Sequence, residues 1–460
     1  MKRELSEGQE MSEGSSTPPL RALDAGSSQP TPPKRFKAEA SPSIEGNGID
    51  YRSLACREFG PSYNEWPAPA RAILAAQKFI IEITTQQLPV LIAPDKDADG
   101  LSAGTLLHKT LLHLGLPETC IQVQHLQKGN NVHSAKEVER IAASGVSRVI
   151  VLDQGSRPGP PIFDPDEDGQ ARTLIIDHHY SHEWPDHSVV LTACHSPPIV
   201  TTSLLTYLLL RDLAPSFVKS EGWRALVGLI GDLGPNAAEW GQPPWPTELG
   251  RLSKRLGSKA LADSVAAINA PRRTAEYDVP KAWKILLEAN TPQAVASHAY
   301  LKLCKLDVGD ETQKWARTAP KFSQDGRIAL ITISTGFQIH PVIATRWAGT
   351  LGRKSGKLVM VMCANTAYNP DGRVSFSCRI AATLRTLPDG ERPNLIQLLL
   401  DIGHAIPGFM DRVGGDFARG HKEATGIGKP PSRKNENVKS PKKPRGADRS
   451  IRSFFEPVPR

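Results

Sequence analysis

From Leu88 onward, short apolar runs alternate with amphipathic segments. They are LPVLIA (88–93), a helical periodicity near 101–114, IQVQHL (121–126), a second near 134–144, SRVIVLD (147–153) and TLIIDHH (173–179). Continuous apolar runs of this length, separated by helices, predict a parallel sheet covered by helices, because a strand buried on both faces has no polar side to show. A largely helical stretch follows at about 200–300. A second set then begins with RIALITIS (327–334), a helix near 340–352, KLVMVMCA (357–364) and RVSFSCRI (373–380). The expected fold class is α/β, with an N-terminal parallel-sheet domain, a helical connector and a smaller mixed α/β domain.

Both ends break this pattern. Residues 1 to about 49 are rich in Ser, Pro, Gly and Glu, and the stretch KPPSRKNENVKSPKKPRGADRS is basic and Pro-rich. Such segments bury too little apolar surface to offset the entropy of ordering. The 460 residues therefore divide into a disordered tail (1–60), the sheet domain (61–245), the connector (246–315), the second domain (316–426) and a disordered basic tail (427–460). No repeat of fixed period is visible.

Charge and cysteine usage narrow the class. Ten basic and three acidic residues fall within 427–460, a net of +7, while the whole chain carries +8. With eight basic and nine acidic residues in 1–60, the stretch between the tails is left at +2. The basicity belongs to a tail, and no long basic channel is expected in the core. No apolar run approaches the roughly 18 residues of a membrane span, and MKRELSEGQEMSEG lacks the apolar segment of a signal peptide. A soluble, non-secreted chain without a membrane partner is expected. The cysteines (Cys56, Cys120, Cys194, Cys304, Cys363, Cys378) form no CxxC pair, which argues against a disulfide framework and a zinc cluster.

Acidic residues stand where apolar runs end. The first strand leads into Asp95, Asp97 and Asp99, followed by Gly100; SRVIVLD ends at Asp153; TLIIDHH ends at Asp177, His178 and His179; Asp232 follows ALVGLIG. Ligands of parallel sheets bind at the carboxyl ends of strands. Singly, each feature has a plain structural reading: a solvated turn, a helix cap or a structural histidine pair. An EF-hand is disfavoured, since loop position 12 is Leu106 rather than Glu. Jointly, one sheet would gather these acids, and clustered carboxylates repel unless cations neutralise them. Oxygen ligands suit hard divalent cations, and an imidazole shifts the choice towards manganese. Two such ions roughly 3.5–4 Å apart can activate water and stabilise the departing oxygen of a phosphoester.

PDKDADGLSAG, VLDQGS, IIDHH and GLIGDLG, in that order, resemble the four motifs of the DHH phosphoesterase superfamily. The resemblance implies a pair of Mn²⁺ or Mg²⁺ ions held by Asp95, Asp97, Asp153, His178 and Asp232, with Asp153 bridging. It implies catalytic roles for Asp99, Asp177 and His179, with Asp99 ligating a metal or orienting the first-motif loop and Asp177 and His179 supporting the ligands or facing the phosphate. Farther on, SFSCRIAA and the run Gly420-His421-Lys422-Glu423-Ala424-Thr425-Gly426 resemble the DHHA1 domain of RecJ-like nucleases and nanoRNase relatives. There an Arg and a glycine-rich loop hold substrate phosphates, which points to Arg379, Gly420 and His421. Thr425 replaces an Ala of the family pattern, and the Gly415 doublet lies farther upstream than usual. INAPRRTAE looks like the family's connecting segment and adds Arg273. The resemblance covers about residues 70–426.

The family reading implies a RecJ-like exonuclease that hydrolyses single-stranded nucleic acid, expected to be DNA in the 5′ to 3′ direction, to mononucleotides. Short oligoribonucleotides and small phosphoesters such as pyrophosphate, polyphosphate or cyclic dinucleotides are alternative substrates. A replication scaffold built on a decayed domain is the non-enzyme alternative. The basic clusters at 33–37 and 441–445 suit nuclear import. The terminal Ile451, Phe454 and Phe455 resemble the peptide that docks on the replication sliding clamp, although Asp448 stands where that peptide has Gln. A nuclear location and a clamp partner follow as expectations.

Overall fold

The computed structural model describes residues 65–234, 245–352, 356–413, 417–418, 420–421 and 424–425. The tails expected at 1–60 and 427–460 lie outside the described residues, with their basic clusters and Ile451, Phe454 and Phe455, and so does Gly415. Gly420, His421, Ala424 and Thr425 are described in their backbone alone.

The first helix of the described residues is α1 (Ala70–Thr85), which buries Ile73, Ala76, Phe79, Ile80 and Ile83 along one stripe. It then alternates strand and helix: β1 (Val90–Pro94), α2 (Ala98–His113), β2 (Ile121–Val123), α3 (Ala135–Ala142), β3 (Arg148–Leu152), β4 (Thr173–Asp177) and β5 (Ser188–Thr192). All five strands are parallel, in the order β2-β1-β3-β4-β5. Every residue of β1 and β4 is buried, as their apolar runs require. Because β2 and β3 lie on opposite sides of β1, the order reverses between β1 and β3, and a crevice opens at the carboxyl ends of such strands.

Helices α4 (Thr202–Arg211), α5 (Pro215–Ser220) and α6 (Gly222–Leu233) follow, then α7 (Thr247–Leu256), α8 (Ser258–Ile268), α9 (Val279–Glu288), α10 (Pro292–Ser297) and α11 (Ala299–Trp315). Arg224 of α6 is fully buried and donates to the carbonyls of Leu286, Leu287 and Ala289 at the end of α9. It satisfies carbonyls that a helix end leaves unpaired and ties α6 to the connector.

The second sheet contains β6 (Lys321–Phe322), β7 (Ile328–Ile333), β8 (Met360–Asn365), β9 (Ser375–Ile380), β10 (Gly420–His421) and β11 (Ala424–Thr425), in the order β10-β11-β9-β8-β7-β6. Only β7 and β8 pair in parallel. Helix α12 (His340–Gly352) joins β7 to β8, and α13 (Leu395–His404) and α14 (Phe409–Val413) follow β9. One apolar cluster contains Ile331, Ile343 and Val361, and another contains Phe376, Leu399 and Phe409. The α/β class with a parallel sheet and a second mixed sheet is therefore the observed one. Among the described residues no helix is long and apolar enough to cross a membrane.

Candidate functional site

The acids gather at the β1/β3 reversal. Asp95 follows β1, and its backbone N–H donates to Leu152 of β3 at 2.9 Å. The three acids of DxDxDG do not share one turn. Asp97 is the N-cap of α2, accepting from the Asp99 and Gly100 N–H groups at 3.2 and 3.4 Å, so Asp99 already lies in the first helical turn. A Cβ on Gly100 would sit 2.8 Å from the Asp95 backbone, which explains the glycine that follows. Asp99 is fully buried. Its carboxylate accepts from the N–H groups of Thr202 (2.7 Å) and Ser203 (3.0 Å) at the start of α4. Asp99 thus orients the start of α4, and one of its oxygens also lies within 4.8 Å of ligand atoms of His178 and Asp232.

Asp153 follows β3 with φ 63°, a left-handed conformation that Asp tolerates better than most residues and that recurs at functional sites. The Thr202 hydroxyl donates to it at 3.0 Å. His178 Nε2 lies 3.3 Å from Asp153 and 3.0 Å from Asp232. The nitrogen is buried, and these two carboxylates are ion-pair contacts of His178 and not hydrogen bonds. One donor atom each of Asp95, Asp97 and Asp153 lie within 4.8 Å of one another, as do those of Asp99, His178 and Asp232 and those of Asp153, His178 and His179. A ring nitrogen beside the carboxylates of Asp99, Asp153 and Asp232 fits a divalent cation, whose first-row members take this mixed oxygen and nitrogen set.

Asp177, at the end of β4, has no exposed surface. It accepts from Ser156 N (3.1 Å), His178 N (2.8 Å) and His179 N (3.2 Å), and His179 Nδ1 lies 2.8 Å from it. Asp177 therefore positions the imidazole of His179, which is half exposed and points its other nitrogen elsewhere. Of the residues expected to act beside the metals, only His179 is exposed to a substrate.

The electrostatics agree. Burial, then the charge of Asp232, raises Asp99 to about 6. Burial, then Asp99, holds Asp153 well above the usual carboxylate range. Burial disfavours a charged His178, but Asp153 and Asp232 outweigh it and push the ring up to about 12. Burial would raise Asp97, yet Arg272 and Lys96 hold it below its ordinary value. Burial first, and neighbouring carboxylates second, thus favour the protonated forms of Asp99 and Asp153.

Cations border the acids on the β1 side. Lys96 Nζ lies 3.3 Å from Asp95, and Arg272 reaches Asp97 at 3.9 Å while donating to Asn269 and Gln338. Beside it, Arg273 is lowered to about 10 by burial and by Arg272. The second sheet approaches from this side: Lys128 donates to Ala275 (2.9 Å) and Gly336 (2.6 Å), and Gln338 N donates to Arg273 O at 2.8 Å. Arg379 on β9 donates to Thr345, Ser377 and its own neighbour's carbonyl at Cys378. Ala424 is paired in register with Arg379, and His421 with Ala424, so β9 and the glycine-rich hairpin are adjacent. Sequence reading missed Lys96, Arg272 and Thr202. Position beside Asp95 marks the first, and the doublet Arg272-Arg273 the second; Thr202 carries no local signal.

Comparison with known proteins follows the same lines. The chain is similar to a crystal structure of the exonuclease RecJ bound to manganese, with TM-score 0.50 and 17% identity over 78% of this chain and 90% of that one. It is similar to RecJ in complex with Mn²⁺ from Thermus thermophilus, with TM-score 0.52 and 16% identity over 82% of this chain. It spans 56% of that Thermus chain. A DHH domain described as a member of the s1p family of ribosomal proteins gives TM-score 0.54 and 13% identity, over 78% of this chain and 87% of that one. No family model matches the sequence, and no curated protein does. The fold is DHH/RecJ-like.

Proposed function

We propose that this chain, with its DHH/RecJ-like fold, is a metal-dependent phosphodiesterase that hydrolyses single-stranded nucleic acid from an end, DNA in the 5′ to 3′ direction, to mononucleotides. One observation carries the reading. The donor atoms of Asp95, Asp97 and Asp153, of Asp153, His178 and His179, and of Asp99, His178 and Asp232 form three groups that share Asp153 and His178, each within 4.8 Å, at the crevice of a fold shared with a manganese-bound exonuclease. Asp95, Asp97, Asp153, His178 and Asp232 would hold two Mn²⁺ or Mg²⁺ ions. Bound there, the ions supply an activated water and neutralise charge that develops on the phosphate.

The residues of the chain supply the rest. Thr202 fixes the Asp153 carboxylate by its hydroxyl, and Asp99 fixes Thr202 by its backbone N–H. Asp177 engages His179 Nδ1, which leaves Nε2 to donate to a phosphoryl oxygen or to return a proton to the departing 3′ oxygen. Arg272 and Arg273 on one side, and Arg379 with the Gly420–His421 hairpin in a DHHA1-like second domain, offer donors to the phosphates. The near-balance of basic and acidic residues in the core, a net of +2, favours short strands or strands delivered by a partner over long DNA held unaided.

End-labelled single-stranded DNA and RNA ladders, incubated with Mn²⁺, with Mg²⁺ and with chelator, test the reading. Metal-dependent release of mononucleotides is expected. Absence of hydrolysis on every ladder, with metal bound, would contradict it.

A further inference from the structure

Beyond the metal ligands, the chain immediately after Asp177-His178-His179 builds a second feature. Tyr180 is 69% exposed, and its Cα lies about 3.8 Å from that of His179 across one peptide. Its hydroxyl and His182 Nε2 are 2.6 Å apart. Its ring meets His182 edge-on at 5.0 Å (77°) and His195 at 5.5 Å (69°). His182 and His195 lie at 23° to each other, 5.7 Å apart. Trp184 meets His195 edge-on at 6.3 Å. His195 Nε2 donates to the Ser181 carbonyl at 2.8 Å, which fixes that ring. Edge-to-face packing holds the group in one arrangement while the phenol ring stays open to solvent.

The position of the group matters as much as its composition. Tyr180 and His182 follow β4, and His195 follows β5; the two strands are neighbours, with Asp177 opposite Thr192. The rings therefore follow the carboxyl ends of β4 and β5, the end of the sheet at which the acids stand, whereas Lys96 and Arg272 contact the acids that follow β1. A strand whose phosphates meet the cations and the acids would carry its bases towards the rings.

We propose that Tyr180, held by His182 and His195, is a stacking platform for a nucleobase of the substrate next to the scissile phosphate. The inference rests on the nuclease reading and sharpens it, since a platform of rings has no use for pyrophosphate or polyphosphate. Stacking on an aromatic face tolerates every base, so the platform would select for a base-bearing strand and not for a sequence.

Steady-state kinetics of the full chain with Mn²⁺ test it. The substrates are a single-stranded oligonucleotide and the same strand made abasic over its terminal residues at both ends. Tyr180→Ala is expected to raise KM for the base-bearing strand about tenfold, within the range of one lost stacking contact, with kcat nearly kept. Tyr180→Phe, which keeps the ring, is expected to restore wild-type KM. On the abasic strand all three proteins are expected to share one higher KM. Tyr180→Ala acting equally on both strands, or on neither, overturns the platform and leaves the nuclease reading standing. Hydrolysis of neither strand by the wild-type chain overturns that reading and the platform with it.

Discussion

At the scale of single residues, the site is a set of carboxylates that cannot all be charged at once. Asp99 is raised to about 6, chiefly by burial, and Asp153 is also raised; His178 is pushed up to about 12 against its own burial. The sign follows directly. A folded chain that keeps protons on Asp99 above about pH 4, where the unfolded chain releases them, loses stability as pH climbs from about 4 through 6. His178 extends that loss above about pH 6.5, because the folded ring stays protonated while the unfolded one does not. A divalent cation must displace these protons, so it binds better at higher pH. The rise in Tm on adding Mn²⁺ is thus expected to be larger at about pH 8 than at about pH 6. An equal or smaller rise at the higher pH would contradict this account. The acids themselves were legible in the sequence because each follows an apolar run. Their separate duties were not, since Asp97 as a cap and Asp99 as a partner of α4 depend on a helix beginning at Ala98, three residues earlier than periodicity suggests.

At the scale of elements, the decisive packing is between α2, α4 and α6. Gly228 lets α6 pass beside the acids: a Cβ there would lie 2.5 Å from Asp99 Oδ1 and 2.2 Å from Ser203 Oγ. Gly228→Ala is expected to cost about 1–3 kcal/mol by overpacking, more than the roughly 1 kcal/mol that alanine gains in helix propensity, and to weaken Mn²⁺ binding. Gly309→Ala on α11, where a Cβ meets nothing within 4 Å, is expected to stabilise by about 0.5–1 kcal/mol. Urea denaturation of both variants checks the pair, and destabilisation of equal size in both would contradict the packing argument. Periodicity located β1, β3, β4, β7 and α12 closely, because these are long apolar runs or regular helices. It did not locate β5, whose SVVLT is half exposed along most of its length, or α1. ALVGLIG, inside the stretch read as helical, is indeed helix, so Asp232 reaches the acids from α6 and not from a strand end.

At the scale of the whole molecule, polar ties among the described residues that join the second unit to the first include Lys128 to the Gly336 carbonyl and Arg373 to the Gly129 carbonyl. Lys128→Met is expected to leave Mn²⁺ binding unchanged and to speed amide exchange at Thr335 and Gln338, which donate to Asn365 and to Arg273. Wild-type protection at both amides would show that Lys128 is no tie. The arrangement of two α/β units followed from the sequence, but their mutual contacts did not, because Lys128, Arg272 and Gln338 meet only through the tertiary fold. The account as a whole depends on the acids holding a pair of cations around Asp153. Electron paramagnetic resonance of the Mn²⁺-loaded full chain, beside Asp153→Ala, measures this most directly. The wild-type chain is expected to give the signal of two coupled Mn²⁺ ions and the variant to lose it while keeping its fold. Retention of the coupled signal in Asp153→Ala, or no bound Mn²⁺ in the wild-type chain, would contradict the account.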